Sequence, residues 1–208
     1  RRLIAMALLE AADLRKAYHG RTVVNGVSLT VEHAEIVGLL GRNGAGKTTS
    51  FRMTIGMIEP DGGRVFFNGS EVTHLPMYRR ARLGMGYLSQ EPSAFTRMTC
   101  QQNLMAILET VGGLSRRDRK RRAMELLDQF GLRHKARELA RTCSGGERRK
   151  LEIARSLVTE PKLILLDEPF SGVAPIAVED LQSEIRRLTD RGIAILITDH
   201  NVQQTLRV

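Results

Sequence analysis

The sequence predicts an α/β fold: a mostly parallel sheet covered on both faces, with a β-rich N-terminal part and an inserted helical subdomain. Three observations carry this. Short apolar runs alternate with helical periodicity over most of the chain. One apolar strand, Glu35-Ile-Val-Gly-Leu-Leu40, runs straight into a glycine-rich turn that opens a helix. From about residue 91 to 142 the strands stop and only helical texture remains. At 208 residues the chain suits one large domain or a core with an insertion, and is too short for several independent domains.

In order along the chain, β-rich runs come first, at 8–14 and 22–31, then the strand at 35–40. A helix follows to about residue 57. Glu59-Pro-Asp-Gly-Gly63 is a turn signal, placed before strands at 64–68 and 85–89. Residues 103–111 and 116–130 read as helices. In the second, Ala123, Leu126, Leu127 and Phe130 fall on one face at i, i+3, i+4 and i+7. Arg116, Arg117, Arg119, Lys120, Arg121 and Arg122 precede that stripe, as a solvated helix end or a docking surface. The alternation then resumes: helix 146–159, strand 162–167, helix 176–190, strand 193–198. Arg1-Arg2 followed by the apolar run from Leu3 faintly mimics a signal peptide, but Glu10 ends it, and a first strand is the better reading. Met6 could be the native start, with residues 1–5 an upstream extension.

Composition narrows the function classes. Hydrophobic residues make up 42% and charged residues 26%, which excludes a disordered tail or a disulfide-stapled miniprotein. The net charge of +9 makes polyanions or an anionic membrane face plausible neighbours, although an arginine-rich codon bias explains it equally well. Cys100 and Cys143 lack metal-site spacing and point to a reduced, cytosolic setting. No apolar run approaches the roughly 20 residues needed to span a bilayer.

Two motifs carry the chemistry. Gly41-x-x-x-x-Gly46-Lys47-Thr48 is a full phosphate-binding loop in the strand-to-helix setting it requires. Glycines let backbone N–H groups converge on phosphate oxygens at the positive end of the next helix. Lys47 adds a point charge between the β- and γ-phosphates, and the Thr48 hydroxyl can ligate Mg²⁺. Further on, Leu163-Ile-Leu-Leu-Asp167-Glu168 is an apolar strand ending in two acids. Asp167 suits Mg²⁺, and Glu168 can accept a proton from an attacking water.

With Cys143-Ser-Gly-Gly-Glu147 between those motifs, the sequence resembles the nucleotide-binding subunits of ABC transporters over about residues 9 to 208. Gln90 fits that family's Q-loop, Ser144-Gly145-Gly146 its signature, His200 its switch histidine and Tyr18 the aromatic that stacks on adenine. The resemblance implies a RecA-like P-loop NTPase core (about 6–90 and 143–208) with a helical subdomain at about 91–142. It implies ATP and Mg²⁺ as cofactors and a homodimer, or a pair of such ATPases, closing on two Mg-ATP. Glu168, His200 and Gln90 would be catalytic. Tyr18, Gly41, Asn43, Gly44, Gly46, Lys47, Thr48 and Thr49 would bind nucleotide in cis; Ser144, Gly145 and Gly146 would do so in trans. Thr48, Gln90 and Asp167 would hold the metal. His19, His33, His74 and His134 match nothing.

The sequence departs from the family pattern at Cys143, where Leu is usual, and at Ala174, where the D-loop has Asp. Asp167-Glu-Pro-Phe-Ser-Gly-Val-x-Pro-Ile-Ala-Val178 and Ile197-Thr-Asp-His-Asn-Val202 look most like the ATPase of the bacterial lipopolysaccharide export machine, and next most like branched-chain amino-acid importer ATPases. The expected setting is therefore peripheral, on the cytoplasmic side of the inner membrane, beside integral membrane subunits. Phe95 and Arg97, just after Gln90, are candidates for the groove that grips such a partner. A non-transport ABC protein acting on nucleic acid or ribosomes is the alternative the charge suggests; without tandem units or a coiled-coil insertion, no nucleic-acid partner is expected. Family members continue beyond this point, so Val208 reads as a truncated end.

Overall fold

The computed structural model describes residues 7–199, and within them the strands divide into two sheets. β1 (Leu9–Tyr18), β2 (Arg21–Val31), β4 (Gly62–Phe67) and β5 (Ser70–Glu71) form an antiparallel sheet in the order β2-β1-β4-β5. β3 (Ile36–Leu40), β6 (Met85–Leu88), β7 (Leu163–Asp167) and β8 (Ala194–Asp199) form a parallel sheet in the order β3-β8-β7-β6. The β-rich N-terminal part is thus a sheet of its own, and the parallel character belongs to the second one.

The pleat explains how the parallel sheet is covered. Successive side chains point to opposite faces, so a strand buried on both reads as a continuous apolar run. In β7 Leu163 and Leu165 face a core shared with helix α1 (Lys47–Ile55) and the antiparallel sheet, alongside Phe51, Met53 and Val65. Ile164 and Leu166 face the other way. There they meet α3 (Cys100–Leu108), α4 (Arg116–Gln129), α5 (Gly145–Ser156) and α6 (Pro175–Asp190). β8 repeats the division, with Ala194 and Leu196 on one side and Ile195 and Ile197 on the other. Each of the leucines and isoleucines among them contributes about 1.5–3 kcal/mol of burial.

The α4 stripe falls where expected: Ala123, Leu126, Leu127 and Phe130 are buried. Its basic first turns are solvated and partly paired, Arg121 with Asp118 at 2.9 Å and Arg122 with Glu160 at 3.4 Å. Such exposed pairs are worth about 0–1 kcal/mol each. Cys100 and Cys143 come together as free thiols, with 3.5 Å between their Sγ atoms. Burial, reinforced by Cys143, pushes the Cys100 thiol up to about 12. Cys143 is buried in the same apolar cluster, in the place where Leu is usual.

Two differences from expectation have plain causes. The first strand runs to Tyr18 rather than ending near residue 14, because β1 and β2 close a hairpin on His19 and Gly20, both at positive φ. Tyr18 is therefore the last residue of β1, not a loop residue after it. The short helix α2 (Met77–Leu83) goes unforeseen because the side chain it buries is Arg80, which breaks the apolar pattern. The Met6 start, residues 1–5, His200 and the Val208 end lie outside the described residues.

Candidate functional site

In a parallel sheet all strands end on the same edge, so whatever follows β3, β6 and β7 gathers there. Residues 43–49 leave β3, Gln90 follows β6, and Glu168 follows β7. With Val23 and Ser171 they line one cleft of about 480 Å³. β8 ends at Asp199 on this edge, and His200 comes next in sequence, outside the described residues. The structure brings Asn43, Gly44, Gly46, Lys47, Thr48, Thr49, Gln90 and Glu168 together in this cleft.

The loop geometry depends on Gly46. Its φ of +83° is strained for other residues, and a Cβ there would lie 2.6 Å from the Val23 carbonyl oxygen. α1 starts at the next residue. The Lys47 ammonium donates to the carbonyls of Gly41 at 2.6 Å and Arg42 at 3.0 Å, which curls the loop around it. Gly41 thus takes part through its carbonyl and does not line the cleft itself.

Asp167 is 1% exposed and is held by three hydroxyls. Thr198 donates to its Oδ1 at 2.6 Å, Thr48 to the same oxygen at 3.4 Å, and Tyr87 to Oδ2 at 3.4 Å. Burial and the Asp167 charge push the Tyr87 phenol up to about 12, so it stays protonated and donating. One residue on, Glu168 has φ +44°, a left-handed conformation that turns its side chain out of the strand line into the cleft. Its amide is fixed on the Thr198 carbonyl at 2.9 Å, and its Oε2 accepts from Gln90 Nε2 at 2.8 Å.

Thr48 and Asp167, already in contact, offer a hydroxyl and a carboxylate of the kind a hard cation takes. Among the described residues no group of three or more His, Cys, Asp or Glu could hold a metal. One hydroxyl and one carboxylate suit an ion that completes its shell with water and phosphate oxygens, as Mg²⁺ does.

The remaining sequence candidates lie apart from this cleft. Ser144 and Gly145 are exposed at the start of α5, and none of Ser144, Gly145 and Gly146 lines the cleft. Ser144 accepts from the Glu147 amide at 3.2 Å, while Glu147 accepts from the Ser144 amide at 2.8 Å, a reciprocal cap. Although burial opposes it, the Ser144 amide and Lys135 hold the Glu147 carboxyl below its usual range. A Cβ on Gly146 would stand 2.8 Å from that of Ala177, so α5 crosses α6 too closely for a side chain. Ala174 begins α6 without a side-chain cap. Tyr18 is 43% exposed, outside the cleft lining, with the Lys16 ammonium 5.7 Å from its ring. Phe95 is 42% exposed yet anchored: Asn103 bonds both its amide and its carbonyl, and the Arg155 guanidinium covers its ring at 4.3 Å. Arg97 is exposed. His74 pairs with Glu59 on the surface.

Sequence reasoning missed Val23, Ser171, Tyr87 and Thr198. Thr198 carried a usable signal: with Asp199 it closes an otherwise apolar strand, as Asp167 closes β7.

The ABC transporter family matches residues 24–171. The lipopolysaccharide export system ATP-binding proteins LptB of Haemophilus influenzae and Escherichia coli K12 are each 51% identical, over 98% of this chain and 84% of theirs. Among solved structures, the ADP conformation of MJ1267, an ATP-binding cassette of an ABC transporter, has a TM-score of 0.87. It is 29% identical and is aligned over 97% of this chain and 84% of its own. The chain belongs to the ABC transporter family.

Proposed function

We propose that the chain is an ATPase that dimerises around two Mg-ATP and powers lipopolysaccharide export through separate membrane subunits. The reading rests on one juxtaposition: a glycine loop with its lysine, a strand-end Asp167 touching Thr48, and a Gln90–Glu168 pair all border the same cleft. The cargo is inferred from the relatives with 51% identity over nearly the whole chain. By likeness to those relatives, the proposed place is peripheral, on the inner membrane's cytoplasmic side. No helix among the described residues is long and apolar enough to cross a membrane.

The roles follow from the chemistry. Lys47 and the loop amides bind and orient the triphosphate. Thr48, Asp167 and Gln90 would hold Mg²⁺, which would supply charge neutralisation for the terminal phosphates. Glu168 takes the proton of the attacking water, Gln90 orients its carboxylate, and His200 assists on the γ-phosphate side. Tyr18 stacks on the base. Ser144 through its hydroxyl, and Gly145 and Gly146 through helix N–H groups, meet the nucleotide of the partner copy, so each site is completed only in the dimer. Residues 91–142 form the helical subdomain, and Phe95 with Arg97 forms part of the groove for the membrane partner.

Lys47→Ala is expected to weaken ATP binding roughly 10- to 100-fold, the worth of one charge-assisted contact, as read by calorimetry. Unchanged affinity would remove the phosphate-cradle role. Cargo is tested by purifying the chain with its membrane partners and reconstituting them with lipopolysaccharide. ATP-dependent release of lipopolysaccharide is the expected result. ATP-driven amino-acid uptake, or salt-sensitive RNA binding with no membrane partner, would overturn it.

A further inference from the structure

Helix α5 begins at the exposed Ser144, but its middle carries a buried ion pair that the cleft description leaves without a role. Arg149 and Glu152 are 6% and 3% exposed, with 3.1 Å between Nη1 and Oε2. Among the described residues, their other bonds go to two places. Arg149 donates through Nε to the Pro169 carbonyl at 3.1 Å and through Nη2 to the Asp167 carbonyl at 3.4 Å, the residues on either side of Glu168. It also donates through Nη1 to the Ser89 carbonyl at 2.8 Å, just before Gln90. Glu152 Oε1 accepts from the amides of Ser93 at 2.6 Å and Ala94 at 2.9 Å, just after Gln90.

We infer that Arg149, oriented by Glu152, is a positioning residue that brackets both Glu168 and Gln90 and ties their geometry to helix α5 of the same subunit. The inference rests on the proposed ATPase reading and deepens it. Glu168 sits at φ +44°, a conformation that persists only where its surroundings impose it. The Arg149 fork imposes it by gripping the carbonyls on both flanks. A planar guanidinium can do this because its donors are fixed in space, whereas an ammonium is a point donor. α5 therefore joins two events in one rigid body: contact of Ser144 with the partner's nucleotide, and alignment of its own subunit's base and glutamine. Because Ala174 stands where the family's D-loop carboxylate would be, this helix is a route between the two sites that does not use that acid.

The test uses the full chain with Mg-ATP. Arg149→Lys keeps the buried charge pair but cannot reach three carbonyls, so kcat is expected to fall about 10- to 100-fold, the scale of an ångström-sized misplacement. ATP affinity stays at the parent value. Arg149→Ala alone would strand the Glu152 carboxylate and cost stability; the neutral pair Arg149→Gln with Glu152→Gln serves as the second variant and should show the same loss. Parent kcat in either, or a raised KM with kcat intact, overturns the inference.

Its cis character is read by titrating limiting parent chain with excess Glu168→Gln chain, with and without Arg149→Lys added to the latter. Equal rates per parent subunit are expected, because the parent's own Arg149 positions the parent's Glu168. A rate lost only when the excess chain carries Arg149→Lys would mean action through the signature instead, and overturns it. If the parent rate ignores every added chain, the dimer reading fails, and the kcat of Arg149→Lys alone still decides the positioning role.

Discussion

Glu168→Gln is expected to abolish ATP turnover while leaving ATP bound, so that a stable nucleotide-dependent dimer elutes from a sizing column. The substitution is nearly isosteric. A glutamine oxygen can still accept from Gln90, as Glu168 Oε2 does at 2.8 Å, and the backbone amide keeps its bond to the Thr198 carbonyl at 2.9 Å. The positive φ at this position is held from outside the side chain, so it survives. What disappears is the capacity to take a proton, worth about 100- to 10,000-fold in rate. Binding groups are untouched: Lys47, Thr48 and the loop amides lie on other segments of the cleft. If two nucleotides hold two copies together and only hydrolysis parts them, removing the base lets the closed form accumulate. Hydrolysis at the parent rate would exclude Glu168 as the base. Lost hydrolysis without a dimer would keep the base and discard the shared-site reading.

The cleft was legible in the sequence because its parts are local. A strand, a glycine turn and a lysine occupy consecutive positions, and Asp167-Glu168 ends a run of four apolar residues. Helix α4 was legible because its stripe is unmixed. The pieces that escaped notice act across the chain. Thr198 and Tyr87 come from different strands and matter only because β8 and β6 flank β7. Arg149 and Glu152 read as two more charges on a basic helix, since nothing in a helical period says that charged residues face inward. α2 is the same case, with Arg80 as its buried side chain. The meeting of Cys100 and Cys143 required knowing that the first turn of α3 packs beside the signature segment. In each instance the missing information was a partner far away in sequence, not a local preference.

Arg80 supports the second large prediction, on stability. It is 1% exposed and spends its guanidinium on four carbonyls: Leu75 at 2.8 Å, Met53 at 2.9 Å, Thr54 at 2.6 Å and Thr73 at 2.7 Å. Two of these belong to the last turn of α1, where the Met53 carbonyl also accepts from the Gly56 amide at 3.2 Å, so the guanidinium completes a helix end that the backbone satisfies in part. Burial lowers the Arg80 pKa to about 10, still well above neutrality, so the group stays charged and its positive end faces the negative end of the helix dipole. Gly56 ends α1 at φ +81°, where a Cβ would stand 2.6 Å from Arg80 Nε, so the turn and the guanidinium fit only together. Arg80→Met would fill much of the volume and leave several buried acceptors without donors, at about 1–3 kcal/mol each. Some of these would be recovered by water, so a net loss of about 3–5 kcal/mol is expected, a large share of a typical domain's 5–15 kcal/mol. With a urea slope of about 2–3 kcal/mol/M, the unfolding midpoint should fall by about 1–2 M. Arg80→Lys, with one point donor in place of a fork, should fall between the variant and the parent. Saturating Mg-ATP should recover part of the loss in both, because ligand bound at the start of α1 stabilises only the folded helix. An unchanged midpoint in Arg80→Met would mean that α1 is held by its apolar face alone, through Phe51, Met53 and Ile55.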